Sequence, residues 1–169
     1  MDFNLAEQEI MIQTRAKDFA DKQVKPQAAE IDRSNEWPSN LVQEMAKLGF
    51  FGLQLPIEYE GIGAGYKCYV LAVEQLSRAS MAVAAIIAIN ALSEEAIYRY
   101  GDERQRQEFL KPLAKGKHTA MFAFTEAATG TDPKAITTRA HANNDCYTLN
   151  GDKTFSSLAP GAGVAVIYA

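Results

Sequence analysis

Cysteine and histidine are scarce in this chain, and their scarcity removes whole classes of chemistry. The two cysteines, Cys68 and Cys146, do not form a close-spaced pair, and only two histidines occur in 169 residues. Neither a zinc site nor a dithiol redox pair is expected, and reduced thiols in an intracellular protein are the default. Basic charge is not in excess: 17 Lys and Arg against 21 Asp and Glu leave a net charge of −4, with the signs interspersed. No nucleic-acid partner is expected, and the acidic balance identifies no substrate. Long apolar runs are also missing. The most apolar stretch, Met81 to Leu92, runs for about twelve residues before Ser93-Glu94-Glu95, too short for a bilayer, which predicts a buried helix and no membrane association. The acidic N-terminus, MDFNLAEQE, carries no apolar signal core. Secretion is disfavoured, and the expected location is the cytoplasm, or the mitochondrial matrix for a processed chain. Internal repeats and low-complexity linkers are absent. A hydrophobic content of 47% suffices for a real core and excludes disorder, and the length accommodates one domain or a small pair.

Apolar spacing makes the first two-thirds helical. Asn4 can cap a helix from Leu5, with Ile10, Ala16, Phe19 and Ala20 among its apolar positions, and Pro26 interrupts or kinks it before Asp32. Trp37-Pro38 opens a second helix, whose Leu41, Val42, Met45 and Leu48 make a core face and whose stop is Gly49. FFGLQLPIEYEGIGAG, from Phe50 to Gly65, reads as a packed connector. Tyr66–Ser80 and Met81–Leu92 read as two apolar helices, with Ala84, Ala85 and Ala88 permitting close approach. Ser93 with Glu94 and Glu95 signals a new helix start, Gly101 ends that helix, and Asp102 begins another that reaches Leu113 and closes near Gly116. Glu103, Arg104, Arg106 and Glu108 read as a solvated face. After Lys117 the period shortens. Residues 118–126, 136–142, 145–149, 152–157 and 163–169 read as strands, with turns at Asn143-Asn144-Asp145 and Asn150-Gly151, the latter a hairpin signal. The predicted organisation is a helical unit over 1–117 and a β unit over 118–169.

The stretch that carries chemistry is Met121 to Asp132, MFAFTEAATGTD. An alternating apolar strand breaks into a turn of hydroxyls, a carboxylate, a glycine and a second carboxylate. Threonine hydroxyls donate and accept, Gly130 permits close backbone approach, and successive turn amides can gather on an anion or a carbonyl oxygen. That chemistry suits a polar heterocycle or a pyrophosphate. The same residue types also dominate ligand-free turns, so an ordinary connection stays open at this point.

Thr125-Glu126-Ala127-Ala128-Thr129-Gly130-Thr131-Asp132 resembles the flavin-binding signature T-E-P-G-A-G-S-D of acyl-CoA dehydrogenases. Thr125, Glu126, Gly130 and Asp132 match, Thr131 keeps the hydroxyl, and Ala127, Ala128 and Thr129 depart. Gly52, Pro56, Tyr59 and Gly61 resemble the family's connector after its second helix. Gly101, Gln105, Arg106, Phe109, Leu110, Pro112, Leu113, Ala114 and Gly116 resemble the segment ahead of its flavin strand. GDKTFSSLA, from Gly151 to Ala159, resembles G-x-K-x-W-I-T-N: Lys153 matches, Phe155 takes the Trp position, Ser156 the Ile position, Ser157 the Thr position and Leu158 the Asn position.

The resemblance implies an α+β chain: an all-α N-terminal domain, then the start of an antiparallel β-barrel domain, with the family's C-terminal helical bundle absent. It implies FAD as cofactor and α,β-dehydrogenation of an acyl-CoA to a trans-2-enoyl-CoA. Electron-transferring flavoprotein would be the acceptor, and the parent protein a homo-oligomer, a tetramer or a dimer. The implied cofactor-binding residues are Phe122, Phe124, Thr125, Gly130, Thr131, Phe155, Ser156 and Ser157. Phe155 would stack on the ring, Ser157 would contact the N5 side, and Thr131 would also lie near the substrate. No metal ligand is implied. The catalytic base would come from the region after the β domain, so the chain alone is expected to be inactive, and Glu126 is read as a structural hydrogen-bonding group. Two other readings remain: a related flavoenzyme on the same scaffold, such as an acyl-CoA oxidase, nitroalkane oxidase or monooxygenase, and a non-enzymatic remnant or interaction module.

Overall fold

A computed structural model describes residues 4–144 and 146–169. Helix α1 (Glu7–Phe19) starts at Glu7 rather than Leu5, where Glu9 Oε2 accepts the Ala6 N–H at 2.8 Å. A first-turn carboxylate thus satisfies a donor that the helix start leaves free. Its buried face is Ile12, Ala16 and Phe19. A π turn over Ala20–Val24 and a 3-10 turn over Lys25–Gln27 lead into α2 (Ala28–Ser34). Pro26 lacks an N–H, so regular α-helical bonding gives way to these turns without ending the helical path.

Helix α3 (Ser39–Lys47) buries Leu41, Val42 and Met45, as their spacing predicts, and Gly49 ends it with φ +78°. Phe50, Phe51, Leu53 and Leu55 follow and are all buried. They pack beside α4 (Gly65–Ala79) and α5 (Met81–Tyr100). The rings of Phe19 and Phe50 meet edge-on, 6.0 Å apart at 68°. Such a pair adds roughly 0.5–1.5 kcal/mol beyond its buried area.

Two expectations fail at α5. The helix does not end near Leu92 and restart at Ser93; it runs unbroken through 20 residues. It is long and apolar enough to cross a membrane by length and composition, yet half of its apolar stretch is buried within the protein. Ser93 and Glu94 are not a helix start. They are fully buried with Asn90 on the face that meets β1. After Gly101 come α6 (Glu103–Gln105), a π turn (Arg106–Leu110) and α7 (Lys111–Ala114). Asp102 and Gln105 cap this segment reciprocally: Asp102 Oδ1 accepts the Gln105 N–H at 2.8 Å, and Gln105 Oε1 accepts the Asp102 N–H at 2.9 Å.

The β region has two strand pairs. β1 (Thr119–Ala123) runs parallel to β4 (Ala162–Ile167), and β2 (Arg139–Asn143) runs antiparallel to β3 (Cys146–Asn150). The β2–β3 turn holds Asn144 at φ +52°, and Asp145 lies outside the described residues. The predicted strand over 152–157 is not formed: the segment is irregular and turns at Ser157 and Leu158. Asn150-Gly151 is accordingly no hairpin. Gly151 (φ +153°) instead passes so close to Thr138 that a β-carbon would lie 2.4 Å from Thr138 Oγ1. The architecture is α+β, a helical N-terminal part followed by the start of a β domain.

Candidate functional site

Strand β1 delivers the turn as its alternation predicts. Phe122, on β1, and Phe124, just past its end, lie with nearly parallel rings at 6.3 Å and 8°. Tyr168, just beyond β4, packs on both, 5.1 Å from Phe122 and 4.9 Å from Phe124. Its N–H extends the pairing by donating to Ala123 O at 3.0 Å.

Reciprocal bonds between Glu126 and Thr129 then close the turn, at 2.9 and 3.1 Å. Thr129 Oγ1 donates to Asp132 O at 2.7 Å, and Asp132 Oδ1 accepts the Lys134 N–H at 3.0 Å. Ala127 and Ala128 both keep negative φ. The turn therefore does not need the glycine that the family signature places at 128. Gly130 is exposed and sits beside Thr125, whose Cγ2 would be 3.9 Å from an added β-carbon.

Glu126 anchors the turn from below. Its two oxygens accept four bonds: from Thr137 N–H at 2.7 Å and Oγ1 at 2.5 Å, and from Thr138 N–H at 2.8 Å and Oγ1 at 2.6 Å. Lys153 Nζ adds an ion pair at 2.9 Å and also donates to Phe124 O at 2.9 Å. The Thr137 hydroxyl, then the Thr138 hydroxyl and their amides, hold the Glu126 carboxyl far below the usual carboxylate range. A carboxylate so saturated is a structural anchor. It is poorly suited to act as a base, because taking a proton would break bonds that stabilise its charge.

Lys153 brings the second motif segment to the first. Thr154 N–H donates to Thr125 O at 2.9 Å, setting the 153–157 segment alongside the turn. Phe155 follows at φ +53° with 87% of its surface exposed. A bulky residue in the left-handed region is a rare and costly conformation, and it presents an aromatic face to solvent. Ser157 N–H closes a tight turn onto Phe155 O at 2.9 Å. Leu158 packs into the helical core, and Gly161 lies against Trp37, where a β-carbon would come within 3.1 Å of the indole. Thr119 Oγ1 donates to Gly161 O at 3.0 Å. The flavin-motif turn thereby holds one end of the segment that presents Phe155, and the helical part holds the other.

Of the residues singled out in the sequence, Thr125 and Gly130 adjoin each other, and Thr125 is joined through its carbonyl to the segment of Phe155, Ser156 and Ser157. Phe122 and Phe124 form one aromatic face with Tyr168. Thr131 lies exposed on the turn. Sequence reasoning missed Thr137 and Thr138, which cradle a carboxylate eleven residues back in the chain, and it matched Lys153 without giving it a role. A cavity of about 770 Å³ lies between α5 and β4, lined by residues such as Ile97, Phe109 and Val166. It contains none of the residues singled out for cofactor binding. The candidate site is an open face rather than that cavity.

Before any relative is considered, the turn and its apposed segment set one polar loop beside one exposed aromatic ring. Residues 6–117 match the family described as acyl-CoA dehydrogenase, N-terminal domain, and residues 121–169 match acyl-CoA dehydrogenase, middle domain. The chain belongs to the acyl-CoA dehydrogenase family. It is 38% identical over 164 residues to a 3-(aryl)acrylate reductase of Clostridium sporogenes, covering 96% of this chain and 44% of that protein. It is 37% identical over 166 residues to the CarC subunit of the caffeyl-CoA reductase-Etf complex of Acetobacterium woodii, covering 97% and 44%. A glutaryl-CoA dehydrogenase from Mycobacterium smegmatis, solved in complex with FADH2, superposes with a TM-score of 0.90 at 31% identity, covering 96% of this chain and 42% of that one. The chain thus spans less than half the length of these relatives.

Proposed function

We propose that this chain is the N-terminal and partial middle portion of an FAD-dependent acyl-CoA dehydrogenase that interconverts an acyl-CoA and its trans-2-enoyl-CoA. The observation that carries this reading is the junction of the two motif segments, Thr125 O to Thr154 N–H at 2.9 Å, beside an exposed Phe155 held at φ +53°. These residues fit a flavin. Phe155 offers a flat apolar face, Thr125 and Ser157 offer hydroxyls, and Gly130 leaves open space beside Thr125. Bound FAD supplies the hydride acceptor for the substrate β-carbon. Phe155 would shield one side of the ring from water, Ser157 would donate toward its N5 side, and Thr131 would lie near the substrate and pyrophosphate. Phe122 and Phe124 set the floor on which Thr125 sits, with Ser156 lending its backbone to the turn. Glu126 holds no mobile proton in this scheme, being committed to Thr137, Thr138 and Lys153. The carboxylate that takes the α-proton belongs to the remainder of the whole protein, as does most of the homo-oligomer contact. Electron-transferring flavoprotein is the proposed redox partner, supported by the relative named for its Etf complex, and the proposed location is cytoplasmic.

A second reading concerns direction. Both curated relatives above carry the name reductase, which supports the same chemistry run toward the saturated product. Anaerobic mixing of the whole flavin-loaded protein with butyryl-CoA tests the activity and its direction. Bleaching of the flavin by butyryl-CoA supports dehydrogenation, and re-oxidation of dithionite-reduced protein by crotonyl-CoA without bleaching by butyryl-CoA supports the reductase. Flavin that responds to neither refutes both.

A further inference from the structure

A second buried carboxylate sits outside the flavin face. Glu94, in the middle of α5, has no exposed surface, and no ion pair among the described residues includes it. Its neighbours are amides. Asn90 Nδ2 donates to Glu94 Oε1 at 2.8 Å, Asn90 Oδ1 accepts the Ala120 N–H of β1 at 2.8 Å, and Gln54 Nε2 lies 2.6 Å from Glu94 Oε2. Gln54 Oε1 is buried with no partner. Amide oxygen and nitrogen exchange places by a half-turn of the group. A separation of 2.6 Å is short for N–H···O and ordinary for O–H···O, so a half-turn of Gln54 would set its carbonyl as the acceptor of a protonated Glu94. Ser93, one residue before, donates to Met121 O at 3.1 Å, so neighbouring side chains of α5 hold two backbone groups of β1.

We propose that Glu94 is a neutral carboxylic acid and a positioning residue for β1, the strand that carries the turn beginning at Thr125. The chain of bonds runs one way: Ala120 N–H to Asn90, Asn90 N–H to the Glu94 carbonyl oxygen, Glu94 O–H to Gln54. Burial pushes the Glu94 carboxyl well above its ordinary value of 4.5, with the Gln54 and Asn90 bonds opposing. Facing it from α4 is Tyr69, whose phenol is raised by burial first and by Glu94 second. Gln54 from the connector and Ala120 from β1 bring no charge. Ionisation would turn the Gln54 amide to donate instead of accept and place a charge with no ionic partner behind β1. The sign follows. The folded state keeps this proton where the unfolded chain has lost it, so the contribution of Glu94 to stability is complete below 4.5 and is lost as pH rises through the raised value.

Three measurements on the purified protein test this without any use of flavin, so their failure leaves the dehydrogenase reading untouched. Carboxyl ¹³C resonances of glutamate-labelled protein should show one protonated side chain near neutral pH, absent from Glu94→Gln. The urea midpoint of the native sequence should fall from about pH 5 to about pH 8 relative to that of Glu94→Gln. Exchange of the Ala120 amide should stay slow in Glu94→Gln, which keeps the donor, and become about tenfold faster in Glu94→Leu, which loses it. A fully ionised set of glutamates near neutral pH overturns the proposal, and that measurement needs no variant. Parallel pH curves for the native sequence and Glu94→Gln, or equal Ala120 exchange in Glu94→Gln and Glu94→Leu, overturn it equally.

Discussion

Trp37→Ala should loosen the Phe155 segment from a distance. The only tryptophan of the chain stands at the start of α3 and lies against Gly161, where an added β-carbon would meet three indole atoms at 3.1 to 3.3 Å. It is half-buried, packed on the helical core together with Leu158. A tryptophan buries about 150–250 Å² when fully enclosed. Taking half of that at about 25 cal/mol per Å² gives a loss of about 2–3 kcal/mol. Part of the loss falls on the 158–161 loop, whose other tie is the Thr119–Gly161 bond, worth roughly 1 kcal/mol. If half of the packing loss reaches the presentation of Phe155, flavin affinity drops by about tenfold, because 1.4 kcal/mol is one decade. Urea denaturation and FAD titration of the same preparations read the two effects. Trp37→Phe keeps a ring over Gly161 and should recover most of both. A Trp37→Ala protein that loses stability while binding FAD as before would refute the idea that α3 positions this loop.

Other perturbations address the turn itself. Ala128→Gly, which restores the family's glycine, should destabilise by about 0.4–1 kcal/mol with unchanged FAD content, because Ala128 already has negative φ and glycine only adds freedom to the unfolded chain; a gain in thermal midpoint would contradict this. Glu126 supplies a contribution of the opposite sign to that of Glu94. Its lowered carboxyl stabilises the fold above the ordinary value of 4.5, and this stability is lost as pH falls below that value. Glu126→Gln should therefore unfold more readily at neutral pH and show a shallower fall in urea midpoint on acidification. Phe50→Ala, which removes a fully buried ring at the centre of the helical core, should cost roughly 3–5 kcal/mol by chemical denaturation.

The parts of this fold that were legible in the sequence are those where local pattern and tertiary packing agree. Leu41, Val42 and Met45 repeat at helical spacing and are buried; Pro26 interrupts regular α-helix where its missing N–H predicts; Met121–Phe124 alternates, closes strand β1 at Ala123 and brings its two aromatic rings together. The failures occur where a residue answers to a distant partner. Ser93 and Glu94 carry the chemistry of a helix start, but their oxygens serve β1 and Gln54, and the helix continues beneath them. Asn150-Gly151 has the chemistry of a hairpin, while Gly151 is required by the close approach of Thr138. Thr137 and Thr138 were passed over because nothing local marks them as the cradle of a carboxylate eleven residues back. The Pro and Gly of the family signature are missing at 127 and 128. The bonds of Glu126 and Thr129 account for the closure of the turn without them.

The most direct test of the central claim, that the 125–131 turn and the 155–157 segment form one flavin face, is the flavin content of the whole protein purified with Thr125→Val and Ser157→Ala together. The account predicts that the parent protein carries FAD with a protein-bound visible spectrum and that the double variant loses FAD or shows a shifted spectrum while keeping its fold. Unchanged FAD content and an unchanged spectrum in the double variant would contradict the account.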